Sequence, residues 1–182
     1  FATLAAKGDL VIPDGDSAAD LFDATQAITR AAGLPRYEVS NHARPGEESR
    51  HNLTYWRYGD YAGVGPGAHG RRLCQATERH KKPENFIAAV GRNGHGLKVE
   101  SDLPPHERAT EAMLMGLRLT EGIDLARVEA RSGLARRAFV DGDAVARLAG
   151  QGLLVQDGDR LAVTDDGILL LDSILSEVVK TG

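Results

Sequence analysis

Residues 37–70 read YEVSNHARPGEESRHNLTYWRYGDYAGVGPGAHG, and the rest of the chain is interpreted outward from this stretch. Pro35 favours extended backbone ahead of residues 36–40, which are rich in β-forming side chains and are predicted as a short strand. Upstream, residues 17–33 are predicted as a helix, because Ser17 can cap its start and Gly33 can end it. A helix, a short turn and a strand form half of an α/β repeat.

Two local features stand out within the stretch. The first is the run HNLTYW at residues 51–56, which holds the only tryptophan of the chain. The second is the glycine-rich run 65–70, which formally matches GxGxxG. It is a poor dinucleotide fingerprint, because Pro66 removes a backbone donor and no amphipathic helix clearly follows. Small residues at this density let a backbone come close to another group.

Residues 37–70 are similar, almost phrase for phrase, to the HemW group of radical-SAM proteins. These are haem chaperones related to oxygen-independent coproporphyrinogen III oxidase. Residues 107–125, ERATEAMLMGLRLTEGIDL, resemble the family's small accessory domain. The resemblance implies an α/β fold, with the C-terminal segment of an open radical-SAM α/β barrel in residues 1–103 and a winged-helix-like α+β domain in residues 104–182. Residues 92–103 are expected to be a linker.

The resemblance also implies site residues. In the family, the HNxxYW run is associated with haem, which maps to His51, Asn52, Tyr55 and Trp56. Neutral imidazole is a good axial ligand of haem iron, so His51 is the expected iron ligand. The alternative is that His51 and Trp56 anchor a loop against the core.

The resemblance also predicts a ligand contact for the glycine run. In relatives it ends a barrel strand near S-adenosylmethionine (SAM), which maps the backbone contact to Gly65, Gly67, Ala68 and His69. Tyr61 and the residues up to Gly65 are accordingly expected to be strand. The alternative is a tight barrel edge that contacts no ligand.

The cofactors expected from the resemblance are haem and, in the full-length parent only, SAM and a [4Fe–4S] cluster. Full-length relatives carry an N-terminal CxxxCxxC motif for the cluster, whereas this chain has one cysteine, Cys74. One thiolate cannot supply the ligands that such a cluster needs. The chain, which begins at Phe1, is therefore expected to be a fragment without radical chemistry of its own. Cys74 is either a second haem ligand or an ordinary buried thiol.

Arginines cluster around these motifs, and a guanidinium group pairs well with the propionate carboxylates of a porphyrin. One or two of them are expected to matter, since most arginines are solvated surface. The set is Arg44, Arg50, Arg57, Arg71 and Arg72.

The C-terminal residues predict a winged-helix pattern of three helices, a hairpin and a closing helix. The helices are expected at residues 105–119, from a cap at Asp124 to Gly133, and at residues 137–150. The hairpin turns at residues 157–159, and Thr164 is expected to cap the last helix.

Charge and hydropathy restrict the partners. Residues 104–182 hold 9 Lys+Arg against 13 Asp+Glu, so this part is a poor electrostatic match to nucleic acid. No run approaches the ~20 apolar residues of a membrane span, so at most peripheral membrane contact is expected, and a cytoplasmic location. The expected partners are haem or a porphyrin and a haem-recipient protein. The rival functions are a genuine coproporphyrinogen III decarboxylating oxidase and a winged-helix DNA-binding regulator.

Overall fold

The computed structural model describes residues 2–8 and 10–180. Its contacts divide the chain into two compact units, Phe1–Glu48 and Ser49–Gly182, which are taken separately below. The predicted boundary at residues 103/104 lies inside the second unit and stays a prediction.

The first unit consists of two helices and a short hairpin, namely α1 (Ala2–Ala6), α2 (Gly15–Ala31), β1 (Arg36–Glu38) and β2 (Asn41–His42). The predicted helix at 17–33 is present but begins earlier, because the carboxylate of Asp14 accepts a hydrogen bond from the Ser17 N–H at 2.8 Å. No residue of α2 is buried. Leu21 and Ile28, on its predicted apolar face, are 60% and 69% exposed.

The strand predicted at residues 36–40 ends two residues early, at Glu38. The Glu38 side chain is fully buried, and its Oε1 accepts hydrogen bonds from the N–H and hydroxyl of Ser40, both at 3.0 Å. The side-chain amide of Asn41 donates to the same oxygen. These bonds close a tight turn between β1 and β2. The Glu38 carboxylate accepts the Ser40 N–H, which in a longer strand would bond to a neighbouring strand.

The second unit opens with α3 (Arg50–Trp56) and continues into a three-stranded antiparallel sheet with a helix inserted before its last strand. The elements are β3 (His69–Arg72), β4 (Gln75–Arg79), α4 (Pro83–Asn93) and β5 (Leu97–Asp102), and the sheet order is β3-β4-β5. The two-residue turn at Leu73 and Cys74 has φ values of 51° and 65°, which is the geometry of a type I′ hairpin.

The prediction that residues 92–103 form a linker is wrong. Residues 97–102 are strand β5, which pairs with β4 from Gln75↔Asp102 to Arg79↔Leu97. Five of its six side chains are exposed. Leu97 and Val99 alternate with Lys98 and Glu100, but the alternation stops at Ser101 and is too short to stand out as a half-buried strand. The ladder of backbone hydrogen bonds, and the 2.8 Å bond from the Leu103 N–H to the Cys74 carbonyl, hold the segment in place.

The prediction of a strand ending in the glycine run is also wrong. Residues 62–68 have no strand assignment, and β3 begins after them, at His69. Only Tyr61 pairs in this region, through an isolated bridge to Arg71. The run therefore leads into a strand instead of ending one.

The C-terminal part of the second unit combines helices with a small sheet. Its elements are α5 (Pro105–Gly116), β6 (Ile123–Asp124), α6 (Leu125–Ser132), a 3-10 turn (Arg136–Ala138), α7 (Gly142–Gly150), β7 (Leu154–Asp157), β8 (Arg160–Val163), a second 3-10 turn (Ile168–Leu170) and α8 (Leu171–Val178). The sheet order is β6-β8-β7, all antiparallel. Most of the large, fully buried side chains lie here, among them Met113, Leu117, Leu125, Phe139, Leu161, Ile174 and Val178.

Helix ends in this part show which predicted caps operate. Asp124 caps α6 as predicted, and Gly133 ends it with φ 76°. The third helix begins at Gly142 and not at residue 137, because Asp141 accepts hydrogen bonds from Asp143 N and Ala144 N. Thr164 does not cap α8; its hydroxyl accepts from the Gly167 N–H in the turn before it.

The fold class is mixed α/β, as predicted. The helices and hairpin of the expected winged-helix pattern are present, with β6 as an unforeseen third strand. Every strand pair among residues 2–8 and 10–180 is antiparallel. The winged-helix description stays a prediction.

Candidate functional site

Helix α3 carries all four residues predicted to contact haem and places them on two faces. The helix begins after Ser49, whose hydroxyl accepts a hydrogen bond from Asn52 N at 3.3 Å. Because residues four apart share a helix face, His51 lies beside Tyr55 and Asn52 lies beside Trp56. The HNxxYW run is thus not a loop, and the loop-anchor alternative is wrong in that respect.

The His51 face is accessible. The imidazole of His51 is exposed and meets the Tyr55 ring edge to face, with 4.7 Å between ring centroids. Tyr55 in turn meets Tyr61 at 4.5 Å. Tyr61 is fixed to β3, because its N–H and C=O both pair with Arg71, at 2.7 and 2.9 Å. A row of three aromatic rings therefore ends in a histidine that solvent or a ligand can reach.

The Trp56 face packs inward. The guanidinium of Arg118 lies 4.8 Å from the centroid of the indole, a cation–π contact. The indole N–H is buried without a hydrogen-bond acceptor. Trp56 therefore joins α3 to the residues that follow α5, which is a structural contact.

Gly63, just before the glycine run, and Gly70, at its end, have no room for a side chain. A Cβ on Gly63 would lie 2.2 Å from the His69 carbonyl oxygen, and one on Gly70 would lie 2.6 Å from the Thr77 hydroxyl. The close approach that the glycines permit is thus an approach to the chain's own backbone and side chains.

The four residues predicted to contact SAM differ in how far their backbone groups are already used. Gly67 N–H donates to the His80 carbonyl at 2.8 Å, and Ala68 accepts from the Arg79 N–H at 3.0 Å. Gly65 has φ 88° and open space where a Cβ would lie. His69 is exposed at the start of β3.

Two of the five clustered arginines pair with acids of the C-terminal part. Arg57 pairs bidentately with Glu121 at 2.7 and 2.8 Å, and Arg71 pairs with Glu111. Arg44 forms an exposed pair with Glu47. Arg50 and Arg72 are exposed. Arg57 and Arg71 thus join residues 50–72 to the C-terminal part through Glu121 and Glu111.

Tyr58 is a residue that the sequence gave no reason to single out. It is only 5% exposed, has φ 53°, and donates from its hydroxyl to Glu111 at 2.7 Å. Arg71 lies over its ring at 4.1 Å. Burial, followed by the hydrogen bond to Glu111, raises the pKa of Tyr58 above its ordinary value, so the hydroxyl stays protonated. Tyr58 is therefore a fixed donor.

A pocket of about 360 Å³ lies beside this cluster. Its wall includes Trp56, Tyr58 and Arg71 from one side, and residues of α5, β6 and α6 from the other. Sequence reasoning missed it, because its lining residues are scattered between positions 56 and 160 and converge only in the fold.

Comparison with known proteins supports the resemblance. Residues 103–170 match the HemN C-terminal domain family. Over 93% of the chain, the sequence is 37% identical to the heme chaperone HemW of Mycobacterium tuberculosis (strain H37Rv), covering 41% of that protein. Residues 103–170 thus match the HemN C-terminal domain, and the chain as a whole is HemW-like in sequence.

Other relatives of this HemW-like chain agree. It is 37% identical, over 93% of its length, to the mitochondrial radical S-adenosyl methionine domain-containing protein 1 of Mus musculus, and covers 40% of that protein. Coproporphyrinogen III oxidase (HemN) from Escherichia coli, a radical SAM enzyme, superposes on 90% of the chain with a TM-score of 0.66. At 20% identity, that likeness shows the fold alone. The chain spans about 40% of the length of these relatives.

Cys74 in the HemW-like chain is exposed, so the expectation of a buried thiol is wrong. It lies in the two-residue turn between β3 and β4. Residues 2–8 and 10–180 contain no group of three or more His, Cys, Asp or Glu side chains placed to hold a metal ion. No helix within those ranges is long and apolar enough to cross a membrane.

Proposed function

We propose that this HemW-like chain is the haem-contacting C-terminal portion of a haem-trafficking protein. One observation carries the proposal. His51 is an exposed imidazole at the end of a row of aromatic rings, in a chain 37% identical to a protein named heme chaperone HemW. Haem is the cargo in this account, and no reaction is assigned to it.

The chemistry of the His51 face suits a haem. An imidazole nitrogen is a common axial ligand of haem iron, and an exposed one needs no rearrangement to reach a flat ligand. The Tyr55 ring braces His51 from the side, which reduces the rotamer freedom lost on ligation. Tyr61 extends the same surface and offers apolar contact to a macrocycle. Trp56 supports this face from behind, and Asn52 shares the Trp56 side.

The radical-SAM cofactors fit this stretch unequally. A [4Fe–4S] cluster does not fit, because the sequence offers one cysteine and cluster ligation takes several. SAM contact in the complete protein is a proposal for Gly65 and His69, whose surfaces are open. It is weaker for Gly67 and Ala68, which bond to His80 and Arg79, whereas the Gly65 carbonyl accepts only a long 3.4 Å bond from the Ala68 N–H.

We also propose a domain organisation, a partner and a location for the complete protein. Residues 104–182 act as the accessory domain, as the HemN C-terminal domain match from residue 103 supports. The complete protein passes haem to a recipient protein. The bacterial relatives named HemW favour a cytoplasmic location, whereas the murine relative is named mitochondrial.

The test is a titration of the chain with hemin, followed in the Soret region. His51→Ala is expected to shift the Soret band and to weaken binding, since one axial bond is lost. The matched control is His95→Ala, which removes another exposed histidine, in the turn after α4. A His51→Ala titration that superposes on both wild type and the control contradicts the proposal. In that case His69 and Cys74, both exposed, become the next candidates.

A further inference from the structure

The pocket beside Trp56 has a surplus of positive charge. Six arginines and three carboxylates line it, which leaves a formal surplus of three positive charges in a chain whose net charge is −4. Glu111, just outside the lining, neutralises Arg71 and reduces the surplus to two. Arg57 and Arg131 are paired with Glu121 and Asp60.

The other three arginines are not committed to a carboxylate. Arg108 donates to the carbonyls of Leu103 and Ser132, and Arg160 donates to the Glu121 carbonyl. The side chain of Arg127 makes no hydrogen bond, and within residues 2–8 and 10–180 none of the three forms an ion pair. The charges of Arg160 and Arg127 reinforce the lowered pKa of Glu121, whose largest cause is the hydrogen bond from Arg57. The wall is therefore ready to accept a further anion.

The same wall has more donors than acceptors. Three lining residues have a buried N–H group with no acceptor, namely Trp56 at Nε1 and Arg71 and Arg108 at Nε. A buried donor without an acceptor costs free energy, which a small side-chain shift towards a bound oxygen would recover. A carboxylate offers two such oxygens, each with two lone pairs.

Part of the lining is apolar. Trp56 and four aliphatic residues supply this surface, namely Leu103, Leu119, Ile123 and Val128. A small, fully hydrated anion would gain nothing from this wall, whereas an anion attached to an apolar body would bury that body against it. The volume of about 360 Å³ admits part of a large planar molecule, and not all of it.

We infer that this pocket binds a carboxylate on an apolar body, namely the propionate-bearing edge of a tetrapyrrole. The identification of the body as a tetrapyrrole rests on the proposed function. The assignment of a carboxylate subsite rests on the pocket itself. The arginines that matter are Arg127, Arg160 and Arg108, of which sequence reasoning had singled out none.

The experiment uses protoporphyrin IX, which has two propionates and no iron for His51 to ligate. Its dimethyl ester, in the same dilute detergent, is the uncharged control ligand. Binding is read from quenching of Trp56, the sole tryptophan of the chain and part of the pocket wall. The free acid is expected to quench with saturation, and the ester much more weakly.

Arg127→Gln is the variant of choice, because the Arg127 side chain is exposed and makes no hydrogen bond that folding needs. It is expected to weaken protoporphyrin binding roughly fivefold, as for one solvent-screened charge. Arg127→Lys is expected to restore most of the affinity. The matched control is Arg137→Gln, an exposed arginine that does not line the pocket.

Two results overturn the inference: an ester that binds as tightly as the free acid, or an Arg127→Gln variant that binds like Arg137→Gln. His51→Ala separates this inference from the proposed function, because iron-free porphyrin does not need an axial ligand. Arginine-dependent porphyrin binding without any effect of His51→Ala on hemin spectra would leave the pocket standing and remove the iron ligand. Hemin spectra that depend on His51, together with porphyrin binding that does not depend on Arg127, would keep the iron ligand and remove the pocket.

Discussion

The two faces of α3 are used differently, although their residues come from one six-residue run. On one face, His51 is exposed and contacts the Tyr55 ring, which in turn contacts Tyr61. On the other face, the Arg118 guanidinium lies over the Trp56 ring. Just beyond the helix, the Tyr58 hydroxyl donates a hydrogen bond to Glu111. A motif that is contiguous in sequence thus divides into an exposed half and a half that fastens α3 to the C-terminal part and lines the arginine-rich pocket. Substitutions on the two faces should therefore have different consequences.

Trp56→Ala should show the largest loss of stability. It removes a half-buried indole and the cation–π contact with Arg118, which we expect to cost about 2–3 kcal/mol of unfolding free energy. Urea denaturation followed by circular dichroism measures this without relying on the lost fluorophore. Tyr55→Ala, on the opposite face, is the control and should cost about 1 kcal/mol. Equal losses for the two variants would contradict the division of the helix into two faces.

Glu111→Ala should come next. The substitution removes both the acceptor of the Tyr58 hydroxyl and the ion-pair partner of Arg71, leaving two partly buried groups uncompensated. We expect a loss of about 2 kcal/mol. Tyr58→Phe, which keeps the ion pair and loses one hydrogen bond, should cost about 1 kcal/mol in the same assay. A Glu111→Ala variant as stable as wild type would show that this cluster does not fasten α3.

Glu121 gives a smaller, pH-dependent effect. The hydrogen bond from Arg57 is the main cause that holds the pKa of Glu121 below its ordinary value of 4.5. A lowered folded-state pKa contributes stability that is fully present above the ordinary value and is lost as pH falls through the lowered one. Both side chains are over 40% exposed, so the contribution should stay below about 1 kcal/mol.

The stability difference between wild type and Glu121→Gln should accordingly be largest at neutral pH and vanish in acid. Glu100→Gln, on the exposed strand β5, is the control and should show no such trend. A difference that grows as pH falls would reverse the assigned sign and contradict the Arg57–Glu121 pairing.

The sequence predicted what depends on local chemistry. The cap at Asp124, the glycine stop at Gly133 and the β7–β8 hairpin were all identified, because each is set by a few neighbouring residues. Strand β5 was missed, since its apolar alternation extends over four residues only, its side chains are mostly exposed, and its backbone pairing with β4 defines it.

For the candidate site, the sequence predicted the residues but not their arrangement. His51 and Trp56 were identified together, whereas only the helix shows that they face apart. The glycine-rich stretch was predicted to let the backbone approach a ligand, yet Gly63 and Gly70 within it accommodate the chain's own atoms. The arginine-lined pocket was missed, because its residues meet only through long-range packing.

We propose above that the exposed imidazole of His51, on the accessible face of α3, is a haem-iron ligand. Removing an exposed side chain should leave the unfolding free energy within about 0.5 kcal/mol of wild type, so any spectral change is not a folding defect. The direct measurement is imidazole rescue: the absorption spectrum of the hemin complex of His51→Ala, without and with free imidazole. We expect an altered Soret band that returns to the wild-type position when imidazole is added, while His95→Ala matches wild type throughout. A His51→Ala complex whose spectrum equals that of wild type before imidazole is added would contradict the claim.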